Sequence, residues 1–236
     1  MKTSLNIAFL FIFSLLSKVG FSQSVDEIVN KHIEAIGGKD NWAKIKTLKI
    51  ERVMKAQGAE IKFTIYQIDK KALRQDISVM GMTGFSIIKN SEGWSYMPWR
   101  GQSKSEAMTA DDVKNSQDEL SIQDEFMNYK ELGKSLDYYG MDDIDGTECH
   151  KLKMIDKDEK ETTFYIDPAS YLILKKTEKV QANGQENEMS SYYSDHKKTD
   201  EGVMFPMSVS SGWGESEIVK LEVNPKIDES LFKPTK

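Results

Sequence analysis

Most of this chain is written in a period of two, and the breaks between the alternating runs are short. In "IKFTIYQI" the residues Ile61, Phe63 and Ile65 fall on one side. In "ALRQDISV", Leu73, Ile77 and Val79 oppose Arg74, Asp76 and Ser78, and "TGFSIIKN" and "GWSYMPW" follow. The breaks "KAQGAE", "DKK", "GMTG" and "NSEG" are turn-like and far too short for the crossover that parallel strands need, so neighbours in sequence are antiparallel neighbours in space. Strands resume at Leu136 and run to Val223, separated by "DIDG", "DKDEK", "DPAS", "NGQ", "KTDEG" and "SGWG". The pattern predicts about eleven or twelve strands with no βαβ spacing. One large antiparallel sheet, curled on itself and packed on helices, accommodates it within a single domain.

Two stretches depart from that period. "SVDEIVNKHIEAIGG" spaces Val25, Ile28, Val29, His32, Ile33 and Ile36 as one helical face, with Ser24 as the cap, Glu27 three residues on, and Gly37-Gly38 as the stop. "TADDVKNSQDELSIQDEFMNYKELG" reads as a helical insert that opens at Thr109, restarts at Ser121 and closes at Gly133. Its first part is polar nearly all round, which marks a solvated helix. Its second part carries a short apolar stripe of Ile122, Phe126 and Tyr129.

The N-terminus bounds the compartment. Lys2, an apolar run from Leu5 to Leu16 and the small residues Gly20 and Ser22 predict a secretory signal peptide over residues 1–22 and a mature domain over 23–236. The apolar run is shorter than the roughly 20 residues that span a bilayer, and no later segment is apolar enough to do so. The expected product is exported and periplasmic, with secretion as the variant of the same reading. Loss of Lys2 and Lys18, with no acid, takes the formal charge from −6 to −8. An acidic chain with three arginines lacks the basic patch of a nucleic-acid or anionic-membrane binder. A single cysteine permits no internal disulfide, so the core alone must stabilise the fold.

Candidate chemistry is sparse. "ECHKLKM" places Cys149 beside His150, but adjacent strand residues face opposite ways, so the two cannot act as nucleophile and base. His32 and His196 lie elsewhere, and three separated histidines with one cysteine give no zinc spacing. "MDDIDG" has Met141 where a calcium loop needs its first aspartate. No G-x-S-x-G is present, and "IGGKDN" follows a helix rather than a strand. No catalytic, metal or cofactor site is expected, and the chain reads as non-enzymatic. What stands out is apolar: of twelve methionines only Met1 lies in the leader, and Met80, Met82, Met97, Met108, Met127, Met204 and Met207 are among the others. Methionine suits irregular apolar ligands as well as ordinary gap-filling.

Four stretches together resemble the exported outer-membrane lipoprotein-sorting proteins, similar in fold to the LolA/LolB-type lipoprotein localisation factors. They are "DEIVNKHIEAIGGKDNWAKIKTLKI", "EGWSYMPWRG", "TFYIDPASYLILKK" and "VNPKIDESLFKPT", spread from residue 26 to 235. The resemblance implies a mainly β fold with helices (α+β), a strongly curved antiparallel sheet forming an incomplete β-barrel covered by helices. It implies a carrier or binding protein for acyl chains, with acylated lipoprotein or lipid as cargo. On that reading Phe63, Ile65, Leu73, Ile77, Phe85, Ile87, Trp94 and Tyr96 are the candidates for the ligand-binding concave face, and Ile122, Phe126 and Tyr129 for a lid. A closed core built of the same residues is the alternative, as is an envelope protein-interaction module on the same fold. The resemblance implies a strand arginine linked to lid opening; Arg52 and Arg74 both fall on predicted strands, and the sequence does not fix which of them, if either, corresponds to it.

Overall fold

The computed structural model describes residues 24–56, 58–182 and 185–234, so the expected signal peptide lies outside the described residues. Helix α1, Val25–Ala35, forms where the 3.6 spacing places it: the Ser24 side chain accepts the Glu27 N–H at 3.1 Å, and Ile28, Val29, His32 and Ile33 are buried. Its stop has a steric reason. Gly37 sits at φ 113°, and a Cβ there would lie 2.3 Å from the Gly202 carbonyl oxygen. A one-turn helix α2, Lys39–Trp42, turns the chain into the sheet, with the Trp42 indole donating to the Ile36 carbonyl at 2.9 Å.

Thirteen strands among the described residues form one antiparallel sheet. They are β1 Thr47–Ala56, β2 Ala59–Ile68, β3 Ala72–Val79, β4 Met82–Lys89, β5 Glu92–Tyr96, β6 Glu106–Ala107, β7 Ser135–Ile144, β8 Thr147–Ile155, β9 Glu161–Ile166, β10 Ile173–Ala182, β11 Gln185–Lys198, β12 Met204–Ser211 and β13 Gly214–Val223. The order is β6-β5-β4-β3-β2-β1-β13-β12-β11-β10-β9-β8-β7, two meanders joined where β1 pairs with β13. The free edges are β6 and β7, so the curved sheet stays open. Tight turns fix the hairpin registers: Met80-Gly81 and Asp145-Gly146 both take positive φ at two successive residues, the geometry that matches strand twist.

The chain between β6 and β7 departs from the expected helical insert. Only α3, Ala110–Asn115, and a 3₁₀ turn at Asp118–Leu120 form, and residues 121–134 are turns. The Asp124 carboxylate accepts the Phe126 N–H at 2.9 Å, a local bond that competes with a helical ladder. Helical cover is accordingly slight. The inner face is packed at one end by α1 and by Ile122, Phe126, Met127 and Tyr129, which meet Leu48, Ile50, Ile65, Leu152 and Phe164 in the main core. Near β4 and β5 the inner face is closed by Trp99, whose ring leaves no room for a side chain at Gly84, and by Met108 and Val113, which press on Gly93.

The outer face has its own small core. Ala72, Phe85, Ile87 and Phe232 are buried together, with Tyr66, Ile68, Trp94, Tyr96 and Ile227 around them. The C-terminal segment thus lies as a strap across β2–β5. Arg74 fastens it, donating from Nη1 to the Leu231 carbonyl at 2.7 Å, pairing with Asp76 at 2.8 Å and lying 4.8 Å over the Phe85 ring. Phe232 is 1% exposed. Its truncation leaves a cavity as well as lost burial, so Phe232→Ala should destabilise the protein by about 3–5 kcal/mol in urea denaturation, against less than about 1 kcal/mol for truncating exposed Lys233.

Candidate ligand-binding site

A cavity of about 1040 Å³ lies between the inner face of β8–β12 and the irregular 117–134 segment. Its apolar wall is formed by Trp42, Met154, Phe164, Leu172, Ile173 and Phe205. Its polar wall is formed by His32, Asp124, Glu125, Lys176, Tyr193 and His196. Both walls follow from strand parity. Phe164 and Lys176 are directly opposed on β9 and β10, so the apolar and the charged side chain share a face. A register shift between Ile173 and Lys175 sets this parity for β10.

Burying Lys176 requires compensation, and two carboxylates supply it. Its Nζ lies 2.5 Å from Glu125 Oε1 and 3.3 Å from Glu178 Oε1, with the lysine side chain 16% exposed. Burial alone would lower its pKa, but these acids and the nearby Tyr193 hold it above the usual lysine range. Glu125 belongs to the 121–134 segment, so this pair also ties that segment to the sheet.

His32 makes the second tie. Its ring, 2% exposed, has Nδ1 2.7 Å from the Tyr171 carbonyl oxygen, so Nδ1 carries hydrogen and donates. Nε2 faces Asp124 Oδ2 at 3.4 Å, an ion-pair contact too long and oblique for a hydrogen bond. Phe126 meets the imidazole edge-on at 5.2 Å and packs on Phe164 at 4.7 Å. Burial disfavours the charged imidazole, but the Asp124 carboxylate and the Tyr171 carbonyl outweigh it and raise the His32 pKa. Burial likewise works against the Asp124 anion, and His32, the Phe126 N–H and Lys176 outweigh it and lower its pKa. His196, also on the cavity wall, behaves oppositely: burial and the charge of His32 lower its pKa.

Of the residues read from sequence as a lid, Ile122 lines the cavity. Phe126 and Tyr129 are buried in the main core, where they anchor the segment, and the Tyr129 hydroxyl donates to Asp26 at 3.3 Å. The eight residues assigned to one concave face are divided by the register. Phe63, Ile65, Leu73 and Ile77 lie on the inner face, since Phe63 opposes Ile77 and Leu73 opposes Gln67. Phe85, Ile87, Trp94 and Tyr96 are corrected to the outer face beneath the C-terminal strap, because Phe85 opposes Asp76 and Ile87 opposes Arg74. Ile88, not Ile87, is the inward residue of β4, opposite Leu73. Sequence reading missed Lys176, Glu125, Tyr193 and Asp124; the one available signal was charge inside an apolar strand, in "YLILKKTEKV".

Cys149 and His150 stand on adjacent positions of β8, opposite Asp142 and Met141 on β7. Burial, then Asp167, Asp143 and Asp142, push the thiol pKa up, away from the thiolate that a nucleophile needs. His150 stacks on Tyr171 at 6.2 Å. Among the described residues no group of three or more His, Cys, Asp or Glu is placed to hold a metal ion, and no helix is long and apolar enough to cross a membrane.

Solved structures share this open antiparallel fold. A DUF1329 family protein from Desulfovibrio piger superposes with a TM-score of 0.58 at 13% identity, over 89% of this chain and 97% of that one. A LolA superfamily protein from Nitrosomonas europaea gives 0.56 at 11% identity, over 87% and 96%. A domain described as an outer membrane lipoprotein-sorting protein, from Vibrio parahaemolyticus, gives 0.53 at 12% identity, over 87% and 94%. The chain therefore has a LolA-like fold. No family model and no curated protein matches the sequence.

The ties at His32 and Lys176 have a signed pH dependence. A raised His32 pKa gives stability that is complete below its ordinary value of 6.5 and fades as pH rises through the folded value. A lowered Asp124 pKa gives stability that is complete above 3.8 and is lost as pH falls through the folded value. The two overlap in mildly acidic solution. Asp124→Asn should therefore cost about 1–3 kcal/mol near pH 5.5 and distinctly less near pH 9, read from paired thermal melts of wild type and variant. An equal penalty at both pH values would contradict the ion-pair assignment.

Proposed function

We propose that this protein is an exported, non-enzymatic carrier or binding protein that shelters an acyl chain of a lipid or an acylated lipoprotein in the periplasm. The cavity of about 1040 Å³ beside the inner face is the observation that supports it. Its size stands at the upper end of the roughly 300–1,000 Å³ common for small-molecule sites. The physical need is large: at ~0.8 kcal/mol per buried methylene, a sixteen-carbon chain left in water costs on the order of 10 kcal/mol. Phe63, Ile65, Leu73 and Ile77 extend the apolar surface on the inner face, and Ile122 stands at the cavity wall. The segment over the cavity is held by side chains rather than by a strand ladder, which suits a cover that must release its cargo. The leader pattern over residues 1–22 supports export, and the lipoprotein-sorting description of one structural neighbour agrees with the cargo class.

A second reading, an envelope protein-interaction module, is favoured by the exposed turns at one end of the sheet. Met80 is 83% exposed in the β3–β4 turn and Trp213 69% exposed in the β12–β13 turn. The two readings part in native mass spectrometry of residues 23–236 purified from an exported fraction without detergent. Acyl-chain adducts on wild type, reduced at least about tenfold by Ile173→Glu with circular dichroism unchanged, are expected of a carrier. A bare mass that persists after incubation with lipid and acylated peptide would instead assign the protein to the interaction class.

A further inference from the structure

One arginine on the inner face has no hydrogen-bond or ion-pair partner among the described residues. Arg74 is fully engaged on the outer face, and Arg100 is exposed. Arg52 is half-buried on β1, opposite Phe63 of β2 and Ile218 of β13, and among the described residues it makes no hydrogen bond or ion pair. A guanidinium stays charged in proteins, so this one gives up hydration without an acid in return. The local backbone holds it there. Glu51 pairs with Lys220 and Arg52 with Ile218, so Val219 is an extra residue that bulges β13 and turns outward, 56% exposed. Bulges of this kind re-aim side chains and recur beside binding sites.

Two hydroxyls share its surroundings. Ser216 follows two residues before Ile218 on the same face, and its Oγ is shut off from solvent with no hydrogen-bond partner. Tyr193 lies in the same cross-sheet row as Ser216, since both oppose Val209 of β12. Its hydroxyl also makes no hydrogen bond among the described residues, and it lies within electrostatic reach of Arg52. The nearest acids are committed elsewhere: Glu125 and Glu178 hold Lys176, while Glu215 and Glu217 alternate to the outer side. Around the three donors the inner face is apolar and half-buried, with Met54, Ile61, Phe63, Ile77, Val79 and Ile218. Tyr193 also lines the large cavity, so this row of the inner face borders it.

We propose that Arg52, Tyr193 and Ser216 form an anion subsite that takes the carboxylate or phosphate of a chain-bearing amphiphile, whose apolar chain lies along the inner face; this rests on the carrier reading above. Anionic amphiphiles are then preferred over neutral ones although the chain as a whole is acidic.

The test is titration calorimetry near pH 8, where carboxylates are ionised, on wild type, Arg52→Gln and Arg52→Lys. The probes are laurate, dodecyl phosphate, 1-dodecanol and inorganic phosphate. Wild type should bind laurate and dodecyl phosphate at least about tenfold tighter than dodecanol. Arg52→Gln should erase that gap and leave dodecanol binding unchanged, while Arg52→Lys keeps part of it. Equal affinity for charged and neutral chains, unaltered by Arg52→Gln, overturns the subsite and leaves the carrier reading standing. Inorganic phosphate binding as tightly as dodecyl phosphate overturns the assignment to an amphiphile. No binding of any chain-bearing probe overturns the carrier reading, and this proposal with it.

Discussion

The pairing of β1 with β13 is the constraint on which the rest of the molecule depends. It joins residues near 50 to residues near 220, from Leu48 against Val223 to Lys55 against Glu215, and turns two local meanders into one sheet. Every other strand pairing among the described residues is between strands adjacent in sequence. The seam closes the longest loop of any strand pairing among the described residues, so it carries the largest loop-closure entropy. Because β6 and β7 do not pair, the sheet relieves its twist by curving, and curvature creates an inside.

An open sheet has two apolar problems, one on each face, and this chain solves them with different pieces. The inner face takes α1 and the 121–134 segment at one end, and Trp99, Met108 and Val113 near β4 and β5. The outer face of β2–β5 takes the C-terminal strap with Phe232. What stays half-covered is the middle of the inner face, where Phe63, Ile77 and Ile218 lie between these two covers. Among the described residues the helices are too few and short to cover that surface as well.

The sequence made the elements legible and the parity of some of them illegible. Helix α1 announced its cap, its buried face and its glycine stop, because each of these is a local decision. Strand β3 announced its faces, since Leu73, Ile77 and Val79 alternate cleanly with Arg74, Asp76 and Ser78. Strand β4 could not, since Ile87 and Ile88 are adjacent and either parity presents an isoleucine inward; the Met80-Gly81 turn decided it. The same holds for Lys176. Whether it faces water or Phe164 hinges on the register shift before Lys175, which only pairing with β9 reveals. The 121–134 segment failed for a different reason: its apolar stripe is real and buried, but Asp124 caps Phe126 locally and serves the His32 contact, so packing did not require a helix.

Charges in the wall of an apolar site need a reason, because each costs desolvation that a methylene would not. Here they hold the cover down. Asp124 and Glu125, adjacent on the cover, meet His32 on α1 and Lys176 on β10, and Phe126 beside them plugs into Phe164. A wholly apolar segment would be held to the inner face by burial alone, with no group whose charge sets the strength of the contact. Fastening by two ion pairs separates the tasks: Asp124 and Glu125 tie the segment to α1 and β10, and Leu172, Ile173 and Phe205 remain as the apolar lining of the cavity. The tie at His32 and Asp124 then answers to pH, while the packing of the apolar lining does not.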